Sequence, residues 1–188
     1  LNRFLSAAYT PGSVFKLVTV AAALDEVPGI EEETFHCDGK EEFGGETVTC
    51  PSVHGDLTFE EALAESCNIA FAEISLAVGD TALQKYADKA GFNKALTVDG
   101  IKTAVGRAEI KGTEGGDLAW AGIGQYTDTA NPLNFMAYVG AIANDGVRVT
   151  PTFFSPAEGL LSYLPDLGKE EKRILSEETA HKVRDVMR

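Results

Sequence analysis

Ser13 and Lys16, in the run Tyr9-Thr10-Pro11-Gly12-Ser13-Val14-Phe15-Lys16, pair a hydroxyl with an amine three residues later. Pro11-Gly12 makes a turn, after which Leu17, Val18, Val20, Ala21 and Leu24 recur at helix spacing with no breaker before Pro28. Ser13 therefore falls at a helix N-terminus, and Lys16 shares its face one turn on. The helix end carries roughly half a positive charge, which favours a developing alkoxide and disfavours an ammonium. A lysine buried there is pushed from its reference pKa of about 10.4 towards neutrality and becomes a base. Such a pair supports attack by an activated serine on a carbonyl, with an acyl-enzyme intermediate. S-x-x-K is also the pattern of an ordinary cap followed by a surface lysine, so it needs company.

The company is Ser66-Cys67-Asn68. Thr58 and Glu61 form a capping box that starts a helix carrying Ala62, Leu63 and Ala64 towards Ser66. A second apolar run, Ile69 to Val78, follows at once and ends at Gly79. Ser66 and Asn68 thus sit at the junction of two helices, where a short break directs both side chains into a cleft.

With these motifs in place, the chain resembles the penicillin-binding protein transpeptidase family. The resemblance runs through NRFLSAAYTPGSVFKL, beginning at Asn2, and HGDLTFEEALAESCNIAF, beginning at His54. A third block agrees in order: Ala121-Gly122-Ile123-Gly124-Gln125, Asn131-Pro132-Leu133-Asn134-Phe135-Met136-Ala137 and Ile142-Ala143-Asn144-Asp145-Gly146. The Ser13 flank and the Gly122–Gly146 block look more like the monofunctional class B enzymes than the bifunctional class A ones. The resemblance implies that Ser13 attacks the carbonyl between two terminal D-alanines of a peptidoglycan stem peptide. Lys16 takes its proton, Ser66 passes a proton to the leaving amine, and Asn68 holds the substrate amide and positions Lys16. A second stem peptide then takes the acyl group, and β-lactams mimic the first. A D,D-carboxypeptidase or β-lactamase, which delivers the acyl group to water, is the alternative. A β-lactam sensor domain is another.

The family's third motif, K-T-G, does not occur after the Gly122–Gly146 block. Lys102-Thr103-Ala104 precedes that block and has Ala where the family needs Gly, so it is no substitute. The expected architecture is therefore a mainly α fragment of the α+β serine β-lactamase/transpeptidase-like fold. Residues 1–188 form one partial transpeptidase domain, truncated at both ends. It keeps the helical subdomain and a small β-hairpin near 33–50 but lacks most of the central antiparallel sheet. The polypeptide alone is expected to be inactive, and its uncovered helix faces to favour self-association.

Sixteen basic residues against 29 acidic ones leave a formal charge of −13. That excludes a phosphate backbone as partner, since nucleic-acid binding needs clustered Lys and Arg. No apolar run approaches the length of a membrane span. The resemblance implies an extracytoplasmic parent protein whose membrane anchor lies before Leu1.

Three cysteines remain. Cys37 and Cys50 flank a Gly-rich stretch that reads as a hairpin turning at Gly44-Gly45, and a disulfide between them would close a short loop. The alternative, a zinc set of His36, Cys37, Cys50 and His54, matches no common ligand spacing, so no metal or cofactor is expected. Cys67 reads as a packing residue.

Further helices are expected near 80–90, 117–123, 132–144 and 176–188, with Asp80 as N-cap, Gly91 as stop and Pro132 in a first turn. The glycine-rich stretch 92–116 reads as irregular, and Val147–Phe154 as a strand.

Overall fold

The computed structural model describes residues 2–153 and 171–187. In chain order the elements are α1 (Arg3–Ser6), a 3₁₀ turn (Gly12–Phe15), α2 (Lys16–Glu26), β1 (Thr34–Cys37), β2 (Lys40–Phe43), β3 (Glu46–Thr49) and β4 (Gly55–Thr58). They continue with α3 (Phe59–Ala64), α4 (Asn68–Val78), α5 (Asp80–Ala90), β5 (Thr97–Val98), β6 (Ile101–Lys102), α6 (Gly115–Gly122), α7 (Pro132–Ala143), β7 (Val147–Val149), β8 (Glu171–Arg173) and α8 (Glu177–Val186).

α2 is the axis of the molecule. Val18, Thr19, Val20, Ala21, Ala22 and Ala23 are all fully buried, and α4, α5, α6 and α8 pack around them. A helix enclosed on every side needs short side chains to let its neighbours close in, and the triple alanine supplies them. Its polar groups are satisfied from those neighbours: the Thr19 hydroxyl donates to the Gly122 carbonyl at 2.7 Å, and the Tyr138 hydroxyl to the Leu17 carbonyl at 3.2 Å. At its far end, Asp25 accepts hydroxyl protons from Tyr86 and Thr179. α4 and α6 meet at Gly122, where an added Cβ would lie 1.6 Å from Ser75 Oγ. Phe15, at the base of the 3₁₀ turn, packs edge-on against Phe92 with centroids 5.2 Å apart. Full burial of such a ring is worth roughly 1.5–3 kcal/mol, so this contact anchors the turn that carries Ser13.

Among the described residues, the strands form four antiparallel pairs, β1–β4, β2–β3, β5–β6 and β7–β8. The first two are tiers of one long hairpin. Gly44 and Gly45, both at positive φ, make the tip. Cys50 N–H to Gly39 C=O (2.8 Å) and His54 N–H to Cys37 C=O (3.1 Å) stitch the tiers together. The expected hairpin is thus present, but it runs on into a second tier that ends at Thr58.

Several expectations need correction. Cys37 and Cys50 are free thiols and are not bonded to each other. His36 is drawn away from the cysteines by Asp56 (2.6 Å to Nδ1) and Asp38 (3.1 Å to Nε2). The stretch 92–116 is not wholly irregular: Asp99 and Gly100, both at positive φ, turn β5 into β6. Asp80 lies inside the first turn of α5 rather than at its cap, and its carboxylate accepts the Gly112 N–H at 2.6 Å. β7 is shorter than expected, and position 154 lies outside the described residues. α1 was not expected, and the remaining α-helices lie where expected to within about one turn.

Candidate active site

Three of the four candidate residues meet at the buried end of Lys16. The Lys16 side chain is fully buried. Its Nζ donates to the Ser66 carbonyl (2.5 Å), Ser66 Oγ (3.0 Å) and Asn68 Oδ1 (2.8 Å), and lies 5.2 Å from the centre of the Phe71 ring. Burial pushes its pKa down to about 8, against a smaller opposing effect of Cys50 and Cys67. An ammonium spends its three protons on these three acceptors. A neutral amine has two protons and a lone pair, and only that form can take a proton from a hydroxyl.

Ser13 stands apart from this cluster. It is exposed in the 3₁₀ turn, and the three acceptors of Lys16 do not include its hydroxyl. Pro11 caps the turn, and Gly12 takes φ +56°, a left-handed value that favours glycine. Near the start of a 3₁₀ turn capped by Pro11, the Ser13 N–H has no acceptor within the turn.

The helix break that presents Ser66 is a Schellman motif. Ser66 N–H bonds the Leu63 carbonyl and Cys67 N–H the Ala62 carbonyl, both at 2.9 Å. Such a motif needs a left-handed residue at its centre, usually glycine. Here Ser66 takes it, at φ +52°. The left-handed backbone costs about 1–2 kcal/mol for a residue with a Cβ, so this site holds strain in return for a hydroxyl at that point. Asn68 opens α4 and is fixed from its other side, its Nδ2 donating to the Thr49 carbonyl at 2.8 Å.

The third sequence block, to which the sequence assigned no task, holds the Ser13 turn from beneath. Gly12 N–H bonds the Gly124 carbonyl at 2.9 Å, and Tyr9 and Ala130 exchange two backbone bonds of 3.0 and 2.7 Å. Gly124, at φ +76°, comes so close that a Cβ there would lie 2.5 Å from the Gly12 carbonyl oxygen. Asn131 caps α7 with its Oδ1, and its Nδ2 reaches the carbonyls of Phe4, Leu5 and Ala7. Asp128 in the same loop escaped the sequence reading. It is 1% exposed, both its carboxylate oxygens lack a side-chain partner among the described residues, and burial pushes its pKa up to about 7. Lys102, rejected as part of a K-T-G motif, lies in β6, and the neighbouring Thr103 hydroxyl accepts the Leu96 N–H at 2.9 Å.

Comparison with known proteins identifies the family and the fold. The family model of the penicillin binding protein transpeptidase domain matches residues 1–188. The peptidoglycan D,D-transpeptidase PbpA of Mycolicibacterium smegmatis is 29% identical over 209 residues, covering all of this chain and 40% of the relative. Among solved structures, the D,D-transpeptidase domain of a peptidoglycan glycosyltransferase from Eggerthella lenta superposes with a TM-score of 0.85 at 29% identity, over 99% of this chain and 49% of the other. The imipenem acyl-enzyme of penicillin-binding protein A from M. tuberculosis superposes with a TM-score of 0.84 at 25% identity, over 100% of this chain and 45% of the other. The chain spans less than half the length of these relatives. It belongs to the penicillin-binding protein transpeptidase family, and its fold is the helical part of that domain.

Proposed function

We propose that the protein containing these residues is a peptidoglycan D,D-transpeptidase acylated on Ser13. The observation that carries this reading is the Lys16 amine: fully buried, with its pKa lowered to about 8, and held by Ser66 and Asn68 one turn from an exposed serine. A lysine kept that dry is costly unless its neutral form is used. Ser13 attacks the D-alanyl carbonyl as Lys16 accepts its proton. The carbonyl π electrons move to oxygen, and the Ser13 N–H helps to hold that oxyanion. Collapse of the intermediate expels D-alanine, whose amine is protonated through Ser66, and Asn68 holds the peptide amide. The amine of a second stem peptide then displaces the serine. β-Lactams acylate the same hydroxyl, and the substrate places the enzyme on the extracytoplasmic face of the membrane.

The 188-residue polypeptide alone turns over no peptide. It has no K-[ST]-G strand to supply the second oxyanion donor, and loss of one such donor costs about 10²–10³ in rate. The test uses the full-length protein, a D-Ala-D-Ala stem peptide and an acceptor amine, with products resolved by mass spectrometry. Cross-linked product with release of D-alanine is expected. Release of D-alanine with hydrolysed peptide alone would replace transpeptidation by carboxypeptidation.

A further inference from the structure

The two tiers of the long hairpin meet beside the helix break, and four potential ligands gather there. The sulfurs of Cys37, Cys50 and Cys67 and a ring nitrogen of His54 all lie within 4.8 Å of one another. Cys50 Sγ and Cys67 Sγ are 3.6 Å apart, and Cys37 Sγ is 3.4 Å from His54 Nδ1. A tetrahedral zinc ion with Zn–S bonds of about 2.3 Å and Zn–N bonds of about 2.0 Å holds its ligands at roughly these separations. We propose that Cys37, Cys50, His54 and Cys67 bind one zinc ion.

The four ligands come from four element ends: the last residue of β1, the residue after β3, the residue before β4 and the N-cap of α4. Their spacing is C-x12-C-x3-H-x12-C. Cys67 takes the place of His36 in the set weighed from the sequence, because His36 is turned to Asp38 and Asp56. Backbone donors already point at two of the sulfurs: Asn68 N–H reaches Cys50 Sγ at 3.0 Å, and Ala70 N–H reaches Cys67 Sγ at 3.5 Å. N–H donors of this kind support thiolate ligands from the outer shell. Binding needs no oxidant. The dication displaces three thiol protons to solvent, and His54 binds through the lone pair of its neutral ring. Three thiolates and one imidazole in a tetrahedron suit zinc better than magnesium or calcium.

The ion would staple the hairpin to the junction between α3 and α4. Cys67 lies between Ser66 and Asn68, the two residues that hold Lys16, so occupancy fixes their placement. The binding claim itself does not depend on the transpeptidase reading. A disulfide is the competing use of the same atoms: Cys50 and Cys67 would have to close from 3.6 Å to about 2.05 Å.

The test takes the 188-residue protein, purified with thiols protected, loads it with zinc ions alone and removes excess by dialysis. Zinc per chain is then read by inductively coupled plasma mass spectrometry. One equivalent is expected, falling to a trace in Cys37→Ser and His54→Ala, with His36→Ala still at one. Loading the wild type with cobalt(II) reads the ligand set without a variant, so a substitution that unfolds the chain does not decide the matter. Intense tetrahedral bands with thiolate charge transfer are expected. Trace zinc in the wild type, an octahedral cobalt spectrum, or zinc retained by His54→Ala but lost by His36→Ala would each overturn the assignment. So would complete Cys50–Cys67 oxidation in the thiol-protected protein.

Discussion

At the residue scale, the proposed acylation of Ser13 rests on the protonation of Lys16. With its pKa lowered to about 8 by burial, the amine is mostly an ammonium at pH 7 and mostly neutral above pH 9. Only the neutral form accepts the Ser13 proton, so acylation of the full-length protein by a penicillin should rise about fivefold from pH 7 to pH 8 and level off above pH 9. The groups acting on this titration are Cys50 and Cys67, whose charge raises the lysine pKa and would move the midpoint upward. Lys16→Met keeps the volume and removes the base. Its acylation rate should fall about 10²–10⁴-fold and lose this pH profile. Stopped-flow acylation measures both, and a profile that is flat in the wild type contradicts the assignment. The i, i+3 relation of Ser13 and Lys16 was legible from spacing alone, yet the acceptors of the amine do not include the Ser13 hydroxyl. Which acceptors the amine would choose was not legible, since Ser66 and Asn68 reach it across fifty residues of chain.

At the scale of elements, the break between α3 and α4 holds the strain. Ser66 occupies a left-handed position for which glycine is the easier residue. Ser66→Gly should therefore be more stable than Ser66→Ala by about 1 kcal/mol, because both lose the hydroxyl and only alanine keeps the strained Cβ. Both should acylate far more slowly than the wild type. Urea denaturation of the two variants checks the order, and the reverse order would show that the break is not strained. The break itself was readable: the Thr58–Glu61 capping box and the apolar run from Ile69 are local signals, and both helices form there. The Asp99-Gly100 turn lies between two short pairs, Thr97-Val98 and Ile101-Lys102, and the surrounding glycines hid it. The second hairpin tier was less accessible. Pairing Thr34–Cys37 with Gly55–Thr58 closes a loop that local pattern does not reveal. The zinc set weighed from the sequence held His36 in place of Cys67 for the same reason, because Cys67 becomes a neighbour of Cys37 and His54 only after both tiers and α4 have formed.

At the scale of the molecule, the family and its helical subdomain were anticipated by ordered sequence blocks, whereas the four-helix enclosure of α2 and the use of the third block were not. Gly124, Ala130 and Asn131 bind the segment before and beneath Ser13, so what reads as a family marker is a clamp on the Ser13 turn. Phe4, Ile101, Val105 and Met136 remain exposed, on segments joined by the Ala104 N–H to the Leu5 carbonyl and by Asn131 to Phe4. Apolar side chains grouped in this way favour association. Sedimentation velocity of the 188-residue polypeptide should show oligomers growing with concentration, and a strictly monomeric profile would contradict that. The central claim is that Ser13 is the acylated hydroxyl. Its most direct test treats the full-length protein with a penicillin and maps the added mass by peptide mass spectrometry. The account predicts one penicilloyl group, on the peptide containing Ser13, and none in Ser13→Ala, which should fold normally because the residue is exposed. A penicilloyl group on any other residue, or none on folded wild-type protein, would contradict it.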